Sequence, residues 1–139
     1  MKLFVDDVRL PPDYSWVVVR SAEDAVTLLK TGVFEIVSFD HDLGENSHNG
    51  TWLATELSKW ALYSPANFSY KMPLYWVHSS NPVGRDNMRN TLKRAEERLR
   101  EGNWIAPDRT FELTNKEAAY YNLPPAVPAL IDSTLSCKD

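Results

Sequence analysis

The sequence predicts an α/β fold built on a parallel sheet, and two observations lead to this prediction. First, four short runs are apolar almost throughout, as expected for strands whose two faces are both covered. Second, helical patterns lie between most of these runs, and alternating strands and helices are typical of parallel sheets with crossover connections. The predicted strands are Lys2–Val5, Trp16–Val19, Ile36–Phe39 and Leu74–Val77.

Three helices are predicted from apolar periodicity and from residues that start or stop a helix. Ser21 is placed to cap the first helix, directly before an apolar stripe with helical spacing. The second begins near Thr51 and ends before Pro65, because proline cannot continue a helix. The third runs from residue 84 to about residue 100, carries a densely charged outer face and ends at Gly102.

The first two strands are joined by a short connection. Only about ten residues separate Asp6 from Trp16, and Pro11 and Pro12 lie among them. This length is too short for a helix together with its two loops. Either the connection contains a single helical turn, or the first strand pairs differently.

Size and composition predict one cytoplasmic domain. The chain has 139 residues, 43% of them apolar, and a formal net charge of −4, which disfavours capture of duplex DNA. No apolar run approaches the roughly 20 residues that span a membrane, and the early acids Asp6 and Asp7 are untypical of a secretory signal. Cys137 is the single cysteine, so no disulfide framework is expected. These features leave the oligomeric state open.

The pattern weakens beyond Trp104. Residues 110–114 are a candidate fifth strand, and three prolines in the following stretch indicate irregular chain. We therefore expect residues 1–139 to form a single domain, with residues 104–139 as an irregular C-terminal extension packed on it.

Acidic side chains follow the first and the third predicted strands. Asp6 and Asp7 come directly after the first strand, and Asp40 comes directly after the third. The carboxyl ends of parallel strands share one edge of a sheet, where ligands bind. Carboxylates held close together repel one another unless a cation or proton intervenes, and such hard oxygen ligands suit Mg²⁺ or Mn²⁺. The three acids together predict a divalent cation site, although an Asp-Asp pair alone is more typical of a solvated turn.

Two histidines are expected at the same edge. His41 lies between Asp40 and Asp42, and His78 follows the fourth strand. Imidazole titrates near neutral pH, so either ring is a candidate for proton transfer. The alternative for His41 is a bond to a backbone carbonyl, and the alternative for His78 is a core position. His48, in the polar loop that follows, is interpreted as an exposed loop residue.

The stretch after the fourth strand is a candidate anion site. Ser79, Ser80 and Asn81 supply donors where the chain enters the third helix, and Arg85 lies in its first turn. The unpaired N–H groups and the positive dipole end of a helix start favour phosphate there. Ordinary N-capping by Ser80 or Asn81 is the alternative, and it is compatible with anion binding.

Three motifs resemble one known family. They read MKLFVDDVR at residues 1–9, followed by Pro11 and Pro12, then SFDHDLG at 38–44, then HSSNPVG at 78–84 with Met88. In this order they resemble the cyclic-phosphate processing receiver-like domain, a divergent relative of two-component receiver domains. The resemblance covers roughly residues 1–100. It implies a receiver-like, flavodoxin-like fold: a three-layer sandwich with a mostly parallel sheet of four to five strands and a shortened first crossover.

The resemblance also implies roles for the residues at the sheet edge. Asp6 and Asp7 match the acidic pair that holds Mg²⁺ in receivers, and Asp40 matches the phospho-accepting aspartate. Asp42 falls in the adjacent metal-binding loop, and His78 takes the place of the switch Thr or Ser. The chain departs from receivers in its short first crossover and in lacking a lysine at the end of a fifth strand, where Lys116 is the nearest candidate.

The residues and the resemblance together predict a metal-assisted phosphodiesterase. Its substrates, cyclic phosphates of nucleotides or RNA ends, and its setting, RNA repair or phage–host conflict, are what the resemblance implies. Asp40, His41 and His78 are the catalytic candidates, with the two histidines exchanging roles as base and acid. Asp6, Asp7, Asp40 and Asp42 are the candidate ligands of Mg²⁺ or Mn²⁺. The candidate phosphate-binding residues are Arg9, Ser79, Ser80, Asn81, Gly84 and Arg85. A non-catalytic nucleotide sponge or sensor and a pseudo-receiver signalling partner are the alternatives.

Overall fold

The four predicted strands form one parallel sheet in the computed structural model, which describes residues 1–63, 73–102 and 110–128. Their bounds are those predicted: β1 (Lys2–Val5), β2 (Trp16–Val19), β3 (Ile36–Phe39) and β4 (Leu74–Val77). The strand order is β2-β1-β3-β4, and every pairing within it is parallel. In this register the last residues of the four strands lie side by side, so the sheet has one level carboxyl edge. The predicted α/β, receiver-like fold class is confirmed.

The three predicted helices are confirmed, with small shifts at their ends. They are α1 (Ala22–Leu29), α2 (Gly50–Tyr63) and α3 (Pro82–Glu101). Ser21 caps α1 as predicted, and its hydroxyl accepts a hydrogen bond from the N–H of Asp24. The third helix begins two residues earlier than predicted because Asn81 caps it and Pro82 takes the first helical position, where a missing N–H costs nothing.

The short connection between β1 and β2 forms no helix and contains only a turn at Tyr14 and Ser15. Strand β1 pairs with β2 in parallel, so the alternative in which the first strand pairs differently is wrong. Side chains replace the missing helix in holding it: the carboxylate of Asp6 accepts from the N–H groups of Val8 and Arg9. The guanidinium of Arg20 donates to the carbonyl oxygens of Asp6 and Arg9, at 3.0 and 2.6 Å. These bonds fix the chain that leaves the carboxyl end of β1.

Two hydrophobic cores cover the two faces of the sheet, because successive strand residues point to opposite sides. On one face Leu3, Val37 and Val77 pack in the core formed with α1, α2 and α3. On the other face Phe4 and Ile36 belong to a smaller core. This second core also contains Trp16, Leu74, Trp76, Leu113 and Tyr121. The arrangement is a three-layer sandwich whose second outer layer comes from the C-terminal part of the chain.

That outer layer contains a helix in the stretch where the sequence predicts irregular chain. Helix α4 (Asn115–Tyr121) begins with a complete capping box between Thr114 and Glu117. The carboxylate of Glu117 is fully buried and accepts from Lys2 Nζ at 2.6 Å and from Trp16 Nε1 at 2.8 Å. These bonds fasten α4 to β1 and β2 and cover the face that the first crossover leaves without a helix.

The candidate fifth strand does form, but it does not join the main sheet. Strand β5 (Thr110–Glu112) pairs antiparallel with β6 (Ala126–Pro128) in a separate two-stranded sheet. The prediction of a four- to five-stranded sheet therefore resolves to four strands for the residues described. The predictions that concern Trp104 and Cys137 fall outside those residues. Within them, no helix is long and apolar enough to cross a membrane.

Candidate functional site

The residues that directly follow β1, β3 and β4 continue the sheet ladder by one step. The N–H of Asp40 donates to the carbonyl of Val5 at 2.8 Å, and the N–H of His78 donates to the carbonyl of Phe39 at 2.8 Å. Asp6, Asp40 and His78 therefore lie side by side at the carboxyl edge, as the sequence predicts from their positions.

Three carboxylates form a compact acidic cluster at this edge. Asp6, Asp7 and Asp40 each offer an oxygen within 4.8 Å of the others, with Asp6 and Asp40 buried and Asp7 half-buried. We call these residues the acid cluster. Several carboxylate oxygens at this spacing match the ligands that Mg²⁺ and Mn²⁺ prefer, so the donor set fits such a cation.

The pKa of Asp6 is low although its side chain is buried. Burial by itself raises this pKa, but hydrogen bonds from His78 and from the N–H groups of Arg9 and Val8 outweigh it. Together with the charge interaction with His78 they lower the pKa of Asp6 from 3.8 to about 2. Asp6 is therefore an ionised carboxylate at any physiological pH.

Asp40 has the opposite shift. Burial and the neighbouring negative charge of Asp6 raise the pKa of Asp40, and bonds from Ser79 and from the N–H of His41 reduce this effect without cancelling it. The ionised form of Asp40 is thus disfavoured in the cluster, and a positive charge brought beside it is favoured.

Arg9 places one positive charge beside the acid cluster. Its Nη1 is 3.7 Å from Asp6 Oδ2 and 3.9 Å from Asp40 Oδ2, and its Nη2 is 3.4 Å from Ser80 Oγ. The guanidinium thus joins the acids of β1 and β3 to the segment after β4, where phosphate binding is predicted.

The His78 ring is fully buried, and both of its nitrogens are bonded within the protein. Nε2 lies 2.9 Å from Asp6 Oδ2, and Nδ1 lies 2.6 Å from Ser38 Oγ. The ring stacks on Phe4, with centroids 4.5 Å apart and planes at 1°. This histidine combines the two possibilities raised by the sequence, since it has a core position and also contacts the acid cluster.

The His41 ring is more accessible, with 13% of its side chain exposed. Its Nδ1 lies 2.9 Å from Asp42 Oδ1, and its backbone N–H donates to Asp40 Oδ1 at 2.8 Å. The carboxylate of Asp42 also accepts from Asn81 Nδ2 at 3.4 Å. Asp42, expected at the cation, is not part of the acid cluster and instead contacts the His41 ring.

Helix α3 begins against the ring of His41, and Gly84 makes this approach possible. A Cβ at position 84 would lie 2.3 Å from Cγ of the ring, which is far inside van der Waals contact. The N–H of Gly84 donates to Asn81 Oδ1 at 3.0 Å, so this group is already used in capping the helix. Gly84 therefore packs against His41, a contact that was not expected when Gly84 was predicted as a phosphate-binding residue.

The other predicted phosphate-binding residues differ in how accessible they are. Ser79 is buried and bonded to Asp40, and its hydroxyl accepts from the N–H of Asn81 at 3.1 Å. Ser80 is exposed next to Arg9. Arg85 is half-buried, and among the described residues its Nε has no hydrogen-bond partner. Ser80 and Arg9 therefore have donors that a ligand could reach, whereas Arg85 Nε is buried.

Two residues bonded around His78 were missed by sequence reasoning. Ser38 lies inside β3, and Tyr121 ends α4, with its hydroxyl 3.0 Å from Ser38 Oγ. No local pattern marks a strand serine or a helical tyrosine as part of a site, because 83 positions separate the two in sequence. Lys116, the nearest candidate for the receiver lysine, lies on α4 and lines a cavity with Leu10 and Tyr14.

Comparison with known families identifies this arrangement. The profile of the cyclic-phosphate processing receiver domain matches residues 1–94, which include β1 to β4, the acid cluster and both site histidines. No curated protein and no solved structure matches the chain. The match covers well over half of the 139 residues and agrees with the four-stranded parallel sheet. The chain therefore belongs to the family of cyclic-phosphate processing receiver domains.

Proposed function

We propose that this protein is a metal-assisted phosphodiesterase that opens cyclic phosphates of nucleotides or RNA ends. The observation that carries the proposal is the acid cluster, which lies beside the guanidinium of Arg9 and accepts a hydrogen bond from the backbone N–H of His41 at the carboxyl edge of the sheet. At this edge, the acid cluster would bind a metal ion, the imidazole of His41 would transfer a proton, and the guanidinium of Arg9 would bind phosphate. The description of the family, which refers to cyclic-phosphate processing, supports the same substrate class.

Asp6, Asp7 and Asp40 would hold Mg²⁺ or Mn²⁺. The bound ion would supply neutralisation of phosphate charge and orientation of the attacking water. Asp6 suits this role because its low pKa keeps it ionised, and Asp40 suits it because a nearby cation relieves its repulsion with Asp6. Asp42 would act indirectly, by holding His41.

His41 would accept the proton of the attacking water. With Nδ1 bonded to Asp42, Nε2 is the nitrogen left for substrate. Attack of the water oxygen would form a new bond to phosphorus and break the bond to one ribose oxygen. A proton from solvent would convert that oxygen to a hydroxyl, and His41 would return its proton to solvent, so that the product is a linear phosphate monoester. Arg9, Ser80 and Arg85 would hold the phosphate oxygens, since Arg9 and Ser80 have exposed donors at this edge and Arg85 lies near the start of α3.

We assign His78 a positioning role instead of the acid–base exchange expected from the sequence. Its ring has no exposed surface, and each nitrogen already has a partner, Asp6 on one side and Ser38 on the other. A side chain in this position stabilises the ionised, oriented form of Asp6 and does not need to reach the substrate.

The decisive experiment is turnover of 2′,3′-cyclic nucleotides by the purified protein in Mn²⁺. We expect His41→Ala to lower kcat at least about 100-fold while Mn²⁺ still binds, since general-base catalysis typically contributes that much. His48→Ala is the matched control, because His48 stacks on Trp52 and lies outside the cluster, and it should keep its activity. Equal activity of the His41 and His48 variants would refute the assignment of the base.

A non-catalytic nucleotide-binding module is the second candidate, and the position of Arg9 favours it. A guanidinium beside two carboxylates already offsets part of their charge without a cation. In this case the protein would bind a cyclic nucleotide in EDTA as tightly as in Mn²⁺, by calorimetry. The ligand recovered from denatured complex would be intact, whereas linear product would exclude this candidate.

A further inference from the structure

A chain of hydrogen bonds connects helix α4 to the acid cluster through the interior of the protein. The Tyr121 hydroxyl donates to Ser38 Oγ at 3.0 Å, Ser38 Oγ lies 2.6 Å from His78 Nδ1, and His78 Nε2 lies 2.9 Å from Asp6 Oδ2. All of these side chains are buried. We call Tyr121, Ser38, His78 and Asp6 the relay.

When the ring of His78 is neutral, only one assignment of donors and acceptors satisfies every hydrogen bond of the relay. Asp6 Oδ1 already accepts from the N–H groups of Val8 and Arg9, and a carboxylate has only acceptor atoms, so the ring proton belongs on Nε2, which faces Asp6 Oδ2. Nδ1 is then an acceptor, and the hydroxyl of Ser38 must donate to it. Ser38 Oγ keeps a lone pair for the hydroxyl of Tyr121, which donates. Every donor in the relay thus meets one acceptor.

We propose that Tyr121 is a positioning residue for the acid cluster. By donating to Ser38, it fixes the hydroxyl that holds His78, and His78 in turn fixes the carboxylate of Asp6. Its importance for a cation rests on the proposed function, in which Asp6 is a ligand. Tyr121 lies beyond residues 1–94, so the part of this chain outside the family match would complete the support of the family's site.

The effect on cation binding should be moderate. Loss of the outer hydrogen-bond partner of a metal ligand typically weakens metal affinity about 10- to 100-fold. Tyr121 acts through two further residues, so we expect Tyr121→Phe to raise the Kd for Mn²⁺ only about three- to tenfold. Ser38→Ala, which interrupts the relay beside His78, should raise it more.

Tyr120→Phe is a matched control. Tyr120 precedes Tyr121 on α4, and its hydroxyl donates to the carbonyl of Leu10 at 3.2 Å, outside the relay. Both variants remove one hydroxyl from the same helix and keep the aromatic ring. A general effect on α4 would therefore influence both proteins.

The primary measurement is the ¹⁵N resonances of the His78 ring in the full chain without metal. The chain has three histidines, so a background with His41→Ala and His48→Ala leaves His78 as the only ring observed. In spectra recorded at a pH where the His78 ring is neutral, we expect a protonated Nε2 and an unprotonated, hydrogen-bonded Nδ1. Tyr121→Phe should move the Nδ1 resonance to higher frequency and accelerate exchange of the Nε2 proton with water, and Tyr120→Phe should change neither.

Unchanged His78 resonances in Tyr121→Phe, or identical changes in both tyrosine variants, would overturn the proposal. Mn²⁺ affinity and turnover in the natural histidine background then test the proposed function separately. A wild-type protein that neither binds Mn²⁺ nor opens a cyclic phosphate would refute that function. In that case, the His78 resonances would still decide whether Tyr121 positions His78 through Ser38.

Discussion

Asp6 and Asp40 lie next to each other at the ends of β1 and β3, yet their pKa values shift in opposite directions. Both are buried, and burial raises the pKa of each. Asp6 accepts hydrogen bonds from His78 and from two backbone N–H groups, and these lower its pKa. The negative charge of Asp6 raises the pKa of Asp40 further. Asp6 is therefore held in its ionised form, whereas ionisation of Asp40 is favoured only by a nearby positive charge.

The low pKa of Asp6 predicts that its contribution to stability is lost in acid. A folded pKa of about 2 lies below the usual 3.8, so the stabilisation is fully present above pH 3.8 and disappears as the pH falls through 2. This corresponds to about 2 kcal/mol in all, of which about 1 kcal/mol is lost between about pH 5 and pH 3. The measurement is urea unfolding of metal-free protein at both pH values.

The comparison is best made between Asp40→Asn and the double variant Asp6→Asn/Asp40→Asn. Removing Asp40 from both proteins is necessary because its raised pKa depends on the charge of Asp6 and acts in the opposite direction. The stability difference between the two variants should be smaller at the lower pH. A difference that is constant or that grows would contradict the pKa shift of Asp6.

At the scale of elements, the start of α3 determines the position of His41. Asn81 caps the helix and also donates to Asp42, whose carboxylate lies beside Nδ1 of His41. Gly84, in the first turn, leaves room for the ring. The helix terminus thus contributes to the site by packing and orientation, in addition to the donors that the sequence predicts there.

Gly84→Ala should destabilise the protein, although alanine is normally the better helix residue. The added methyl would meet the ring of His41 at 2.3 Å, and overpacking of this kind costs about 1–3 kcal/mol. Gly102→Ala is the control, because a Cβ there makes only ordinary contacts at 3.5 Å and beyond, and its effect should stay within about 0.5 kcal/mol. Thermal unfolding measures both, and a stabilised Gly84→Ala protein would contradict this packing.

The elements of residues 1–102 could be predicted because each carries its own signal. Strands β1 to β4 are continuous apolar runs, and Ser21, Asn81 and Gly102 mark helix ends. Helix α4 has a capping-box signal too, in Thr114 and Glu117, but it is short and its partners lie far away in sequence. The partner of β5 was not predictable, since β6 contains two of the residues that break strand patterns, Ala126 and Pro128.

For the molecule as a whole, the proposed cation site predicts a cost in stability, because the buried carboxylate of Asp40 that would bind Mn²⁺ destabilises the metal-free protein. Mn²⁺ at about a hundred times its Kd should add about 2.7 kcal/mol and raise Tm by about 5 to 10 °C. Asp40→Asn should melt at a higher temperature than the wild type without metal, because burial and Asp6 disfavour the charge that it removes. The same variant should lose most of the Mn²⁺-dependent increase in Tm.

Differential scanning calorimetry in EDTA and in Mn²⁺ measures both effects. Asp24→Asn removes an exposed carboxylate of α1 outside the acid cluster and should keep the full Mn²⁺ response. A metal-free Asp40→Asn protein that melts below the wild type would show that the charge of Asp40 is stabilised by its surroundings, contrary to its raised pKa.

The parallel sheet, its helices and the meeting of Asp6, Asp40 and His78 at one edge were predictable from the amino-acid sequence. These features follow from local apolar patterns and from the rule that parallel strands end together. The burial of His78, the contact of Asp42 with His41 and the packing of α4 on the second face of the sheet are visible only in the folded molecule. The reason is that these outcomes depend on contacts between distant residues, such as the 115 positions between Lys2 and Glu117, which no local pattern encodes.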